Sequence, residues 1–193
     1  MSILNRPTLV LNKSWIPIRI EKVRDSFSKG FSQIARFIDP DTYSAYQWKD
    51  WLKIYSCSID DNYDFPYIST VNMKIRVPEV IVLANFNRIP KVKVKLSRRN
   101  LFIRDNFYCQ YTGEKLTMST GTMDHIMPKS RGGKTEWSNV VLCSLKVNIK
   151  KANRTPSQAG LMLLKEPKEP VWNPIYTHYV PNKPDSWKKF LRM

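Results

Sequence analysis

Residues 122–156 read TMDHIMPKSRGGKTEWSNVVLCSLKVNIKKANRTP, and the rest of the chain is best understood outward from them. The protein has two histidines, and one of them, His125, stands here directly behind Asp124. A basic loop carrying Gly132 and Gly133 follows at once. On a strand, neighbouring residues face opposite sides, so Asp124 and His125 diverge unless the strand twists or ends there.

The chain has 193 residues, enough for one domain or two small ones, and its 42% hydrophobic and 12% aromatic content fits a folded protein. Three cysteines, Cys57, Cys109 and Cys143, are odd in number and widely spaced, which implies no disulfide framework and suits a reducing compartment. They are expected to behave as buried small hydrophobes. The start, MSILNRPTLVLNKSW, has no signal-peptide pattern. No apolar run reaches the roughly 20 residues of a spanning helix. A soluble, cytoplasmic protein with no membrane partner is expected. The net charge is +16, but residues 1–70 carry a net of only +1 and residues 71–193 a net of +15. That asymmetry points to a polyanionic partner, nucleic acid above all.

Along the chain, TLVLNKSWIPIRI (8–20) predicts a hairpin or two strands around a turn at Asn12–Trp15. KVRDSFSKGFSQIARFI (22–38) carries apolar residues at helical spacing and predicts one amphipathic helix, with Gly30 a weak spot. Residues 46–57 hold an aromatic stripe that fits a strand or a helix. DDNYDFP (60–66) reads as an acidic turn and EVIVLANF (79–86) as a buried strand. Lys91, Lys93 and Lys95 alternate with Val92, Val94 and Leu96, which predicts a strand with lysines on one face. SRRNLFIRD predicts a helix capped by Ser97. From Arg88 to Arg104 there are seven basic residues and no acidic one, so Arg98, Arg99 and Arg104 join the lysines as expected phosphate contacts. Short paired strands are expected to end at Asp124–His125, with one helix starting near Thr135 or Glu136 and a second over residues 142–152, stopped by Arg154-Thr155-Pro156. Met118, Met123 and Met127 are expected to fill the small core, Trp137 to anchor packing, and His178 to be a structural or surface residue.

Cutting a phosphodiester requires a base for water, a cation for the phosphate charge and positive groups for the backbone. Asp124 is a hard oxygen ligand of the kind Mg²⁺ takes. His125 titrates near neutrality, as a general base must. Asn148, in the expected helix, offers a second oxygen. Asn139 is placed to hydrogen-bond beside the histidine and fix its orientation.

The whole order resembles the core of the HNH nucleases, the ββα-metal family. An Asp-His on a strand, a Pro-x-Ser-x-Gly-Gly loop, a Trp-x-Asn step, an Asn-x-x-Lys on a helix and Arg-Thr-Pro follow one another without a gap. Asp124, His125, Pro128, Ser130, Gly132, Gly133, Trp137, Asn139, Asn148, Lys151 and Arg154 to Pro156 carry the match. LSRRNLFIRDNFYCQYTG extends it upstream, and LVLNKSWIPI is similar to the start of a long bacterial and phage subgroup. The resemblance implies that His125 is the general base, that Asp124 and Asn148 bind one Mg²⁺ or Mn²⁺, and that Asn139 positions the histidine loop. It also implies that Lys151 sits near the phosphate; Arg131 and Lys134, flanking the Gly-Gly turn, are expected backbone contacts.

Many members with this core carry two Cys-x-x-Cys knuckles that bind zinc. Here Cys109 remains, Thr112 replaces its partner, Ser144 and Val147 stand at the second pair, and Cys143 is one residue out of register. One ligand of four cannot hold a tetrahedral zinc, so no structural zinc is expected and a hydrogen-bonded or apolar link is expected instead. The expected architecture is α+β: an N-terminal mixed region over 1–96, an HNH module over 97–170 and an irregular tail over 171–193. The expected function is metal-dependent cleavage of DNA, double-stranded DNA being favoured, with a homodimer one route to double-strand breaks. The alternatives are a nucleic-acid binder that does not cut, and a nuclease for RNA.

Overall fold

The computed structural model describes residues 2–58, 65–178, 180 and 182–191. Most of the expected acidic turn at 60–66 lies outside them. The described chain forms two compact units, one of residues 1–91 with 173–193 and one of residues 92–172.

The first unit opens with a hairpin, β1 (Pro7–Leu11) against β2 (Pro17–Lys22). Its turn is held by the Asn12 carboxamide, whose Oδ1 accepts from the amides of Ser14 and Ile16. α1 (Val23–Phe31) follows, but it stops well short of the predicted helix over 22–38. Gln33 adopts a positive φ of 58°, and β3 (Ala35–Ile38) runs back across the sheet. Gly30 explains the packing: a Cβ there would stand 2.2 Å from the Phe37 ring, so glycine lets strand and helix approach. Apolar spacing across this turn imitates a helix because both elements face one core. β4 (Ala45–Tyr46) precedes α2 (Trp48–Tyr55), which settles the aromatic stripe as a helix. β5 (Ser56–Ser58), β6 (Tyr67–Ser69) and β7 (Met73–Arg76) form a three-stranded antiparallel sheet in the order β5-β7-β6. β8 (Val80–Leu83) is buried along its whole length, as its apolar run requires. It lies parallel to β1 and antiparallel to β3 in a five-stranded sheet of order β2-β1-β8-β3-β4. Val10, Phe27, Phe37, Trp51 and Ile81 centre the core; each such side chain contributes roughly 1.5–3 kcal/mol by leaving water.

The second unit begins without the predicted lysine-faced strand: residues 92–97 form no strand and pair with none among the described residues. Val94 is buried, and its carbonyl accepts from the Trp137 indole at 3.1 Å. Side-chain anchors replace a ladder there, so alternation of lysine and valine was not a sheet signal. α3 (Arg98–Arg104) starts where Ser97 caps it, the hydroxyl accepting from Asn100 N. A tight turn over 109–114 is closed by Cys109 N to Glu114 O and Gly113 N to Cys109 O. β9 (Gly121–His125) then pairs with β10 (Val140–Ser144), with Asp124 opposite Val141 and His125 opposite Val140. No helix starts at Thr135 or Glu136, and the predicted helix over 142–152 begins only at α4 (Leu145–Lys151). Val140 to Ser144 are buried on both sides, which suits a β-branched apolar run better as a strand than as a helix. Ser144, at a knuckle position, caps α4 by accepting from Val147 N. Gln110 N donates to Leu142 O, so backbone hydrogen bonds tie the turn to the strand. Cys109 and Cys143 are buried free thiols, while Cys57 in the first unit is half-buried. Met118 and Met127 are 46% and 43% exposed and do not fill the core as expected; Phe102, packed where a Gly121 Cβ would clash at 2.6 Å, does so instead.

The chain returns to the first unit at Asn173, and 173–191 is not an irregular tail. Asn173 caps a 3₁₀ turn over Pro174–Tyr176, and a second turn, Asp185–Trp187, leads into α5 (Lys188–Leu191). Trp187 is fully buried and donates to Glu79 O at 2.8 Å. Among the described residues no helix is long and apolar enough to cross a membrane.

Candidate active site

β9 ends at His125, and both residues of the Asp-His pair still lie in its ladder, so strand alternation separates them. Asp124 points into the unit and is 5% exposed; His125 points out and is half-buried. The Asp124 carboxylate is held at both oxygens. Lys151 of α4, 1% exposed, donates to Oδ1 at 2.9 Å, and Tyr111, 8% exposed, donates to Oδ2 at 2.7 Å. The Lys151 ammonium also donates to the His125 carbonyl at 2.8 Å, so one cation clamps both residues of the pair. Burial first, and then the hydrogen bond to Asp124, push the Tyr111 phenol far above its ordinary range, keeping it a donor. Burial likewise raises the Cys143 thiol, with the Asp124 charge adding to it.

His125 Nε2 lies 2.9 Å from Thr135 Oγ1. Its pKa is lowered, chiefly by burial and then by the charge of Lys129, while Asp124 opposes the shift. The ring is thus biased toward the neutral form, the form that accepts a proton. Asn139 holds the intervening loop. Its Oδ1 accepts from Met127 N at 2.9 Å, and its Nδ2 donates to Met127 O at 3.1 Å and to Lys134 O at 2.8 Å. Gly132 supplies a φ of 85° and Gly133 brings the chain so close that a Cβ would meet Met127 O at 1.8 Å. Ser130 bonds Asn153 just beyond α4, which fastens the loop tip to the helix end. Asn148 lies on α4, one turn before Lys151 and half-buried.

The other predicted site residues divide in two. Arg131, which donates to Gln158 at 2.7 Å, and Lys134 are exposed, as are Lys91 in the first unit and Lys93 and Lys95 in the second. Arg104 is not a phosphate contact. Its guanidinium pairs with Asp105 through Nε at 2.7 Å and Nη2 at 2.9 Å, and donates to the carbonyls of Trp137 and Val140. Arg98 bonds the carbonyls of Met118 and Gly121, both at 2.7 Å. Arg99 is half-buried. Lys151 does not face a phosphate either, because both its hydrogen bonds run inward. Tyr111, Thr135 and Asp105 went unread in the sequence. The partners of Tyr111 and Thr135 lie 13 and 10 positions away, and Asp105, besides pairing with its neighbour Arg104, accepts from Leu142 N 37 positions on.

The second unit thus brings together a two-stranded ladder with a helix following it, an Asp-His at the end of the first strand and an asparagine on the helix. Residues 109–157 match the model of the HNH endonuclease family. At the level of the family the match points to nuclease activity for this segment. A comparison with the curated proteins finds no match.

Proposed function

We propose that the protein is a divalent-metal-dependent DNA endonuclease in which His125 is the general base. The observation that supports this best is the pairing of an outward, neutral-biased His125 with an inward carboxylate, Asp124, and an asparagine on the adjoining helix, inside the HNH segment. Asp124 and Asn148 are hard oxygen donors, the type that Mg²⁺ or Mn²⁺ takes. Each Asp124 oxygen accepts one hydrogen bond and keeps a second lone pair, so the donor set fits such an ion. When bound, the ion supplies positive charge against the scissile phosphate and leaving oxygen. The chain's own residues do the rest. Asn139 holds the loop so that the imidazole faces outward. His125 removes a proton from the attacking water, and general-base help of this kind is worth about 10²–10⁴ in rate. Lys151 and Tyr111 hold the Asp124 side chain in place. Arg131, Lys134, Lys93 and Lys95 provide exposed positive charge for the phosphate backbone. Double-stranded DNA is the proposed substrate, and one site cuts one strand per engagement. A double-strand break then takes two copies or two successive nicks.

The test is plasmid cleavage by the purified protein with Mg²⁺, with Mn²⁺ and with EDTA, beside His125→Ala. Conversion of supercoiled plasmid only with metal and only by the wild type is expected, with DNA binding retained by the variant. Binding without cleavage in every metal points to a protein that grips nucleic acid and does not cut. Cleavage of RNA but not DNA overturns the substrate.

A further inference from the structure

We propose that Trp15, Tyr43 and Phe190 of the first unit form a platform on which an unpaired base of single-stranded nucleic acid stacks, with Lys13 and Lys189 beside its phosphates. The proposal rests on the reading that nucleic acid is this protein's partner, and on neither His125 nor a metal. Two turns are built alike to present the rings. In the turn between β1 and β2, buried Asn12 accepts the amides of Ser14 and Ile16 on its Oδ1, and Trp15 N donates to Asn12 O at 2.9 Å. In the turn between β3 and β4, buried Asp39 accepts the amides of Asp41 and Thr42 on its Oδ1, and Tyr43 N donates to Asp39 O at 3.0 Å. Each turn places its aromatic residue in the left-handed region, Trp15 at φ 62° and Tyr43 at φ 58°. Glycine or asparagine takes that backbone more easily than a bulky side chain does. Strain of this kind collects at sites that bind or react.

Residues 173–191 complete the surface. Phe190 on α5 stacks with Trp15, the ring centroids 6.2 Å apart at an angle of 28°, and meets Tyr43 edge-on at 5.7 Å. Lys189 Nζ lies 3.6 Å from the centre of the Tyr43 ring. The stack is not core: Trp15 is 38% exposed, and Phe190 and Tyr43 are half-buried. The charge beside it suits a polyanion. Residues 173–193 carry four basic residues and one acidic. That acid, Asp185, pairs with Lys188 at 2.7 Å, while Lys189 and, in the Trp15 turn, Lys13 are exposed. Aromatic rings beside exposed cations are what grips a single strand, because every base has a π-face and every nucleotide a phosphate. In a duplex those faces are covered by neighbouring bases, so the platform takes a base only at an end, a nick or an opened stretch.

The experiment measures binding of the full chain by fluorescence anisotropy in EDTA. The probes are labelled oligo-dT and oligo-rU of about 20 nucleotides, longer than the site of a typical single-strand binder, and a blunt duplex of the same length. Trp15→Asn keeps a residue suited to the left-handed turn and removes the ring. It should weaken binding to both single strands roughly 5- to 150-fold, the loss expected for one stacked base, and leave duplex binding unchanged. The two strands should lose alike, since the ring meets the base face and not the sugar. Trp15→Phe, which keeps a ring, should restore most of the affinity. Circular dichroism checks the fold; where Trp15→Asn does not fold, Trp15→Leu beside Trp15→Phe asks the same question with a bulky residue in both. Lys189→Gln should lower the slope of log binding constant against log salt on oligo-dT by about 0.7, as for one phosphate of a single strand. A folded Trp15→Asn or Trp15→Leu protein that binds single strands like the parent overturns the proposal, and so does a parent that binds the duplex but neither single strand. A parent that binds none of the three probes fails the nucleic-acid reading itself, and the platform with it.

Discussion

The two faces of β9 at its last two residues are as different as any two places in this molecule. Asp124 sits among a buried lysine, a buried tyrosine and the floor of the hairpin. His125, the next residue, touches one exposed threonine and otherwise meets solvent and the loop. Strand geometry alone produces this split, since successive side chains leave opposite sides of the ladder. The inner face is a satisfied charge network whose removal should cost stability. The outer face is the one proposed to be chemical, and changes there should cost rate and leave the fold alone.

The largest expected effect is on the inner face. Lys151→Met leaves the Asp124 carboxylate buried without its cation, and such a loss costs about 3–5 kcal/mol. A fall of that size in the free energy of chemical denaturation is expected; a midpoint equal to the parent's would mean that Asp124 is solvated in solution and the two faces are alike. Tyr111→Phe removes one hydrogen bond to the same charge and should cost about 1.5–3 kcal/mol, measured in the same way. Equal losses from the two variants would remove the ranking of ion pair above hydrogen bond.

On the outer face the expected signatures are in activity. The folded-state pKa of His125 is lowered from 6.5, so the neutral base persists to lower pH than in a free histidine. Cleavage should hold as pH falls through 6.5 and decline only below it; a decline centred above 6.5 would show that the histidine is not shielded from protons as its surroundings imply. The smallest effect belongs to Lys134→Ala. Folding stability should be unchanged, while the slope of log binding constant against log salt should lose about one unit, as for one phosphate contact. No change in slope would place Lys134 off the DNA path.

Much of the candidate site's local geometry was legible because its parts are close in sequence and chemically typed. Asp124, His125, Asn139 and the Gly-Gly turn fall within sixteen residues, and a loop pinned by one carboxamide needs its glycines where the backbone crowds Met127. The buried strand at 80–83, the N-terminal hairpin and the Ser97 cap were legible for the same reason: each depends on neighbours in sequence. The basic run from Arg88 to Arg104 misled because charge has no direction in a sequence. Lys93 and Lys95 reach solvent, whereas Arg104 is locked between Asp105 and two carbonyls more than thirty residues away. The helix predicted over 22–38 failed on the same ground, as an apolar period of a helix and a strand facing one core is hard to tell from that of one helix.

By itself, then, the sequence determined the N-terminal hairpin, the buried strand, the HNH-like order and the candidate Asp-His pair, because these are set by residue type and short spacing. Tertiary structure alone decided which charges are free. Lys151 is a clamp and not a phosphate contact, Tyr111 a donor to Asp124, and Thr135 the neighbour of the histidine ring. Each of these depends on a distance across the fold, where burial converts a charge or a hydroxyl from a solvated group into a partner that must be satisfied.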